Sequence, residues 1–97
     1  MVVISQKALR EFWEAHSDAR EALSTWYTFV LECDWGRHAD VVHDFNSADY
    51  VADGRYVFNI RGNKYRLVTR IHFTSRTVFI RFVGTHSQYD KINAATI

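Results

Sequence analysis

Apolar positions in the first third of the chain recur at helical spacing. Leu9, Phe12, Trp13 and His16 fall at i, i+3, i+4 and i+7, one stripe of a helix that runs to about His16. Ser5 stands where an N-cap belongs, and Ile4 and Leu9 have the spacing of a hydrophobic staple. A second start follows at Ser17 or Asp18, where Asp18 and Glu21 have capping-box spacing. Ala19, Leu23, Trp26 and Val30 carry its stripe to about Glu32. The pattern predicts an antiparallel helical hairpin covering a sheet. After Asp34-Trp35-Gly36 comes a weaker helical turn, roughly residues 39–45, and then a polar loop through Asp53-Gly54.

Beyond Gly54 the period changes from 3.6 to 2. Residues 55–61 and 64–73 read as strands separated by Gly62-Asn63, a two-residue hairpin signal. Setting Arg61 opposite Lys64 fixes the register: Ile60 with Tyr65, Asn59 with Arg66, Phe58 with Leu67, Val57 with Val68, Tyr56 with Thr69 and Arg55 with Arg70. A third strand, residues 77–84, returns through a turn near Thr74-Ser75 and is expected to pair Ile71 with Val78, Thr69 with Ile80 and Leu67 with Phe82. Because successive side chains alternate faces, one face is apolar and takes the helices. The other collects Arg55, Arg61, Lys64, Arg66, Arg70, His72 and Arg81, with Val57, Phe79 and Val83 among them.

Charge sharpens that picture. Residues 1–53 hold ten of the eleven acids against four basic residues, a net −6, while residues 54–97 hold eight basic residues against Asp90 alone, a net +7. Like charges opposite one another destabilise a strand pair, and solvated faces ordinarily mix both signs. A basic face with an aromatic on it fits nucleic acid, where arginine grips phosphate in a bidentate fork and aromatics stack on bases.

At 97 residues the chain is expected to form one domain, residues 1–97. One cysteine, Cys33, excludes an internal disulfide, and no apolar run approaches the roughly 18 residues of a membrane span. The expected location is cytoplasmic, with no membrane partner. Metal chemistry reads poorly: His16, His38, His43, His72 and His86 lack HExxH or Cys/His spacing, so no metal and no cofactor is expected. His38 and His43 read as solvated, and Cys33 as core.

The remaining chemistry lies in Gly84-Thr85-His86-Ser87-Gln88-Tyr89-Asp90. Thr85 and Gln88 have capping-box spacing, placing His86 in the first turn of a short C-terminal helix with Tyr89 on the same face. A histidine at a helix N-terminus beside a cationic sheet is biased toward neutral imidazole, which can accept a proton.

The stretch Val57-Phe58-Asn59-Ile60-Arg61-Gly62-Asn63-Lys64-Tyr65-Arg66-Leu67-Val68, followed by Ile80-Arg81-Phe82-Val83-Gly84-Thr85-His86 and Tyr89-Asp90, resembles the HigB-type toxins of bacterial toxin–antitoxin pairs, members of the RelE/ParE superfamily. The opening from Ile4 to Trp13, Trp26 and Asp34-Trp35 extend the likeness over nearly the whole chain. It departs from the family at residues 38–47, which are less basic and proline-free. The resemblance implies a compact α+β fold, a RelE-like domain with two helices on one face of an antiparallel-rich sheet. It also implies cleavage of mRNA on translating ribosomes and neutralisation by a HigA-like helix-turn-helix antitoxin. The cleavage expected is metal-independent: a 2′-hydroxyl attacks the adjacent phosphorus, leaving a 2′,3′-cyclic phosphate and a 5′-hydroxyl. On that reading Arg66 and Arg81 hold the scissile phosphate, His86 moves the proton, and Tyr89 stacks or donates a proton. Arg55, Arg61, Lys64, Arg70, His72 and Phe79 bind RNA, and Asn59 and Asp90 orient these groups. Two alternatives use the same face, a ParE-like inhibitor of DNA gyrase and a non-catalytic RNA- or ribosome-binding module.

Overall fold

The computed structural model describes residues 1–97. Strand β1 (Val2–Ile4) leads into helix α1 (Gln6–Ala15), a 3-10 turn (Ser17–Ala19), α2 (Arg20–Glu32) and α3 (His38–Asp44). Then come β2 (Asp49–Tyr50), β3 (Arg55–Ile60), β4 (Tyr65–His72), β5 (Thr77–Thr85) and α4 (His86–Tyr89). The α+β class is as expected. The five strands form one sheet in the order β1-β5-β4-β3-β2, antiparallel except where β1 lies parallel to β5 with Val3 beside Val78.

The helices take their places by burying one stripe each. Leu9, Leu23, Trp26 and Val30 join Tyr56, Phe58, Leu67, Ile71 and Val78 of the sheet's inner face in a single core, with Trp26 set edge-on to Phe58 at 5.4 Å. Burying a side chain of this size contributes about 1.5–3 kcal/mol. Helix starts differ from the expectation. Ser5 has extended N-cap backbone but its side chain caps nothing, and Ile4 stays about half exposed on the edge strand, so no staple forms. Asp18 is no cap either, because its carboxylate is drawn to the sheet, and α2 begins at Arg20 behind Ala19. His16 closes α1, its N–H donating to Phe12 O and its ring stacked on Phe12 at 4.2 Å. His38 is exposed, as expected, and its Nδ1 also bonds the Tyr56 hydroxyl at 2.9 Å.

The β3–β4 register is the expected one at all six positions from Arg55↔Arg70 to Ile60↔Tyr65. The ladder stops there, and residues 61–64 form the turn, closed by Lys64 N–H to Arg61 O at 3.2 Å. Arg61 and Gly62 both adopt positive φ, so the chain reverses with Gly62-Asn63 at its centre.

The β4–β5 pairing departs from expectation beyond Thr69↔Ile80. A bulge shifts the register between Val68 and Thr69, so Val68 faces Phe82 and Leu67 faces Val83, leaving Arg81 as the extra residue. The bulge exchanges faces downstream. Val83, expected on the outer face, packs on the main core, and Phe82, expected inside, turns outward. There Phe82 joins Val57, Val68, Tyr89, Ile92, Ala94 and Ile97 in a second apolar cluster. Residues 92–97 therefore cover the middle of a face that the alternation alone leaves open.

Candidate active site

Helix α4 starts with the expected capping box. Gln88 N–H donates to Thr85 Oγ1 at 3.2 Å, and Thr85 N–H to Gln88 Oε1 at 2.9 Å. The cap fixes the first turn, and with it His86. Gly84 precedes it opposite Arg66, where a Cβ would stand 2.5 Å from the Phe82 ring and 2.7 Å from Gln88 Oε1. Glycine leaves room here for the cap and for Phe82.

Arg66, His86 and Tyr89 come together. Arg66 Nε lies 3.2 Å from His86 Nε2, and its guanidinium sits over the Tyr89 ring at 5.3 Å from the centroid. Arginine only donates, so the ring nitrogen facing it carries a lone pair when this bond forms. Tyr89 also packs on the second apolar cluster, which makes it a fixed platform for the arginine. His86 Nε2 has another neighbour that the sequence reading missed: Asn63 Oδ1 at 3.0 Å, from the β3–β4 turn. Gly62-Asn63 carried a turn signal, and only the register, extended to α4, could have revealed its second use.

Other expected members lie elsewhere. Arg81 occupies the bulge, exposed, its Nε donating to Ile97 O at 3.3 Å rather than standing beside Arg66. Arg55, expected on the RNA-facing surface, is only 7 % exposed; it donates through Nε to Ile97 O at 2.9 Å and pairs with Asp53 at 3.3 Å. Arg70 is on the outer face but bonds both the carbonyl and the carboxylate of Asp53. An acid thus reaches a face that looked free of acids, because Asp53 and Gly54 turn with positive φ and bring the preceding loop over β3 and β4. His72 and Phe79 meet edge-on at 5.2 Å near the other end of that face. Asn59 lies across from Arg66 with its Oδ1 buried and unpaired, and Asp90 meets His86 through the backbone, its N–H donating to His86 O at 2.9 Å.

Arg61 and Lys64 need a larger correction. Both donate to Asp18 Oδ2 while the Tyr65 hydroxyl donates to Oδ1, so the hairpin tip is clamped to the turn between α1 and α2 instead of joining the outer face. Positive φ at Arg61 ends the strict alternation that placed them there. The hydrogen bonds from Lys64 and then Tyr65 hold the Asp18 carboxyl down at about 2, and Asp18 in turn raises the pKa of both donors. Cys33 is half-buried against the core, where burial and then Asp44 push its thiol up to about 11, unsuited to nucleophilic work.

The fold and the site together make this a small α+β protein in which a short helix presents a histidine to an arginine on the outer face of a mixed sheet. Residues 19–92 match the family model for the HigB toxin, described as the RelE-like toxic component of a toxin–antitoxin system, and the chain belongs to that family. Among similar proteins, the mRNA interferase toxin HigB of Escherichia coli strain K12 is 31 % identical over 96 residues, 97 % of this chain and 92 % of that one. The mRNA interferase HigB of Shigella flexneri matches to the same extent. The mRNA interferase HigB of Escherichia coli O6:H1 is 24 % identical over 94 residues, covering 95 % of this chain and 91 % of its own length.

Proposed function

We propose that this toxin cleaves mRNA on translating ribosomes by internal transfer, with His86 as the proton-transfer group and Arg66 as the clamp on the scissile phosphate. The observation that carries the reading is the 3.2 Å contact between Arg66 Nε and His86 Nε2, which sets a proton acceptor beside a phosphate-binding fork. The names of the relatives, mRNA interferases, point the same way. In the step proposed, the 2′-oxygen bonds to phosphorus as its proton passes to the base. The bond from phosphorus to the 5′-oxygen breaks, and that oxygen takes a proton as it leaves. Arg66 stabilises the charge growing on the non-bridging oxygens, the part of such reactions in which fixed donors count most. Tyr89 holds the guanidinium in place through its ring face. Arg70, His72 and Phe79 extend the track for the flanking nucleotides, and Arg81 contributes charge from the bulge.

Neutralisation falls to a HigA-like helix-turn-helix antitoxin, and the site of action is the cytoplasm, where messages are translated. No helix is long and apolar enough to cross a membrane. A gyrase inhibitor or a passive RNA-binding module would have no use for the histidine–arginine contact.

The test is incubation of the protein with translating ribosomes and an end-labelled message, followed by analysis of the new termini. Products with 2′,3′-cyclic phosphate and 5′-hydroxyl ends are expected. His86→Gln should fold normally and lose roughly 10²–10⁴-fold in single-turnover rate, the worth of a positioned acid or base. Normal cleavage by that variant would remove His86 from the chemistry.

A further inference from the structure

His86 Nε2 has two neighbours with opposite demands. Arg66 Nε–H at 3.2 Å can only donate to it, and Asn63 Oδ1 at 3.0 Å can only accept from it. One ring nitrogen cannot satisfy both at once, since it carries either a lone pair or a proton. The two contacts therefore belong to two states of the ring, Arg66 holding it when Nε2 carries the lone pair and Asn63 Oδ1 when Nε2 carries the proton.

The geometry points to Asn63 as the residue that positions His86 for proton transfer, its carboxamide oxygen giving Nε2 an acceptor when the ring carries a proton there. This rests on the reading of His86 as the proton-transfer group. With Nε2 unprotonated, its one lone pair accepts from Arg66 Nε–H and the Asn63 oxygen waits beside it. When the ring takes the proton from the 2′-hydroxyl, Nε2–H is held by Asn63 Oδ1 and the ring stays in place. Arg66 Nε–H is released at the same moment, free for the phosphate just as charge builds there.

Asn63 suits the role because it is neutral among charged groups. Beside His86 stand Arg66 of β4 and, under its guanidinium, Tyr89 of α4, with Asp90 and Lys91 next in the chain. None of these offers the ring nitrogen an uncharged amide oxygen. Its position is not left to a free loop. Lys64 and Arg61, flanking the turn centre, are tied to Asp18, and Tyr65 at the start of β4 is tied to the other oxygen of the same carboxylate.

The experiment follows the His86 ring nitrogens by long-range 1H–15N spectra from pH 5 to 9 in the full-length protein, in Asn63→Ala and in Asn63→Asp, with His86→Gln assigning the signals. Backbone spectra report that each variant is folded. Asn63→Asp should raise the His86 midpoint by about one pH unit or more, because a carboxylate in contact favours the imidazolium. Asn63→Ala should lower it, since the protonated ring loses its acceptor and keeps its cationic neighbour. An unchanged midpoint in both variants overturns the inference. Single-turnover cleavage across the same range separates the two claims. If the midpoint moves and the acid limb of the rate moves with it, both stand. If the midpoint moves and the rate profile does not, Asn63 still positions His86, and the proton-transfer assignment of His86 is what falls.

Discussion

Arg66 does several things at once: it crosses the ladder from Gly84, donates to His86 and lies on Tyr89. A lysine retains the charge and loses the fork, so Arg66→Lys should recover little of what Arg66→Ala removes. For Arg66→Ala, cleavage should fall by about 10²–10³-fold, the cost of removing one transition-state donor in comparable sites. Arg81→Ala should be milder, because Arg81 sits at the bulge on a backbone carbonyl. Single-turnover rates of the three variants on the same message decide the order, and equal losses for Arg66→Ala and Arg81→Ala would restore Arg81 to the clamp. At this scale the sequence was legible where a residue's role follows from its neighbours in the chain. Thr85 and Gln88 announce the cap that sets His86, whereas Asp18, spaced as a cap, spends its carboxylate on Arg61, Lys64 and Tyr65 more than forty positions away.

Among the elements, the β3–β4 hairpin was readable because one turn signal propagates through every pair behind it, from Ile60↔Tyr65 to Arg55↔Arg70. The bulge was not, since neither Val68-Thr69 nor Ile80-Arg81-Phe82 contains the glycine that often marks such a position, and a strand read by parity alone carries the error to its end. That error hid the second apolar cluster and with it the true surroundings of Arg55 and Arg81. Two predictions concern these elements. Gly84→Ala should cost about 1–3 kcal/mol, the range for overpacking, in denaturant unfolding, because the new methyl meets Phe82 and Gln88, and should slow cleavage by unseating α4. The clamp at Asp18 has a defined pH window. Its folded pKa, about 2, is below the ordinary value of 3.8, so its contribution to stability is complete above about pH 4 and is lost as pH falls toward 2. Asp18→Asn should therefore melt below wild type at pH 7, with the gap closing between pH 4 and 2. A gap that persists unchanged at pH 2 would show that the ion pairs are not its source.

Over the whole molecule, the split between an acidic first half and a basic second half survives folding in part. Asp18, Asp34 and Asp53 are the acids that cross over, and between them they hold Arg61, Lys64, Arg76, Arg55 and Arg70. Binding to single-stranded RNA should weaken with salt at a log–log slope of roughly −0.7 per phosphate engaged. Asp18→Asn frees two cations at the tip, and the slope should steepen by about 0.7 for each that finds a phosphate. A slope identical to wild type would mean that the tip stays clear of the RNA. The pairing of β1 with β5 has a different kind of consequence. The second, third and fourth residues of the chain are partners of residues 77–79, so a nascent chain leaving the ribosome waits with an open sheet until β5 has followed it out. The same strand leads through Thr85 into His86. Closure of the sheet and assembly of the site are therefore one late event, and a translation product ending before β5 has neither a partner for β1 nor the helix that carries His86.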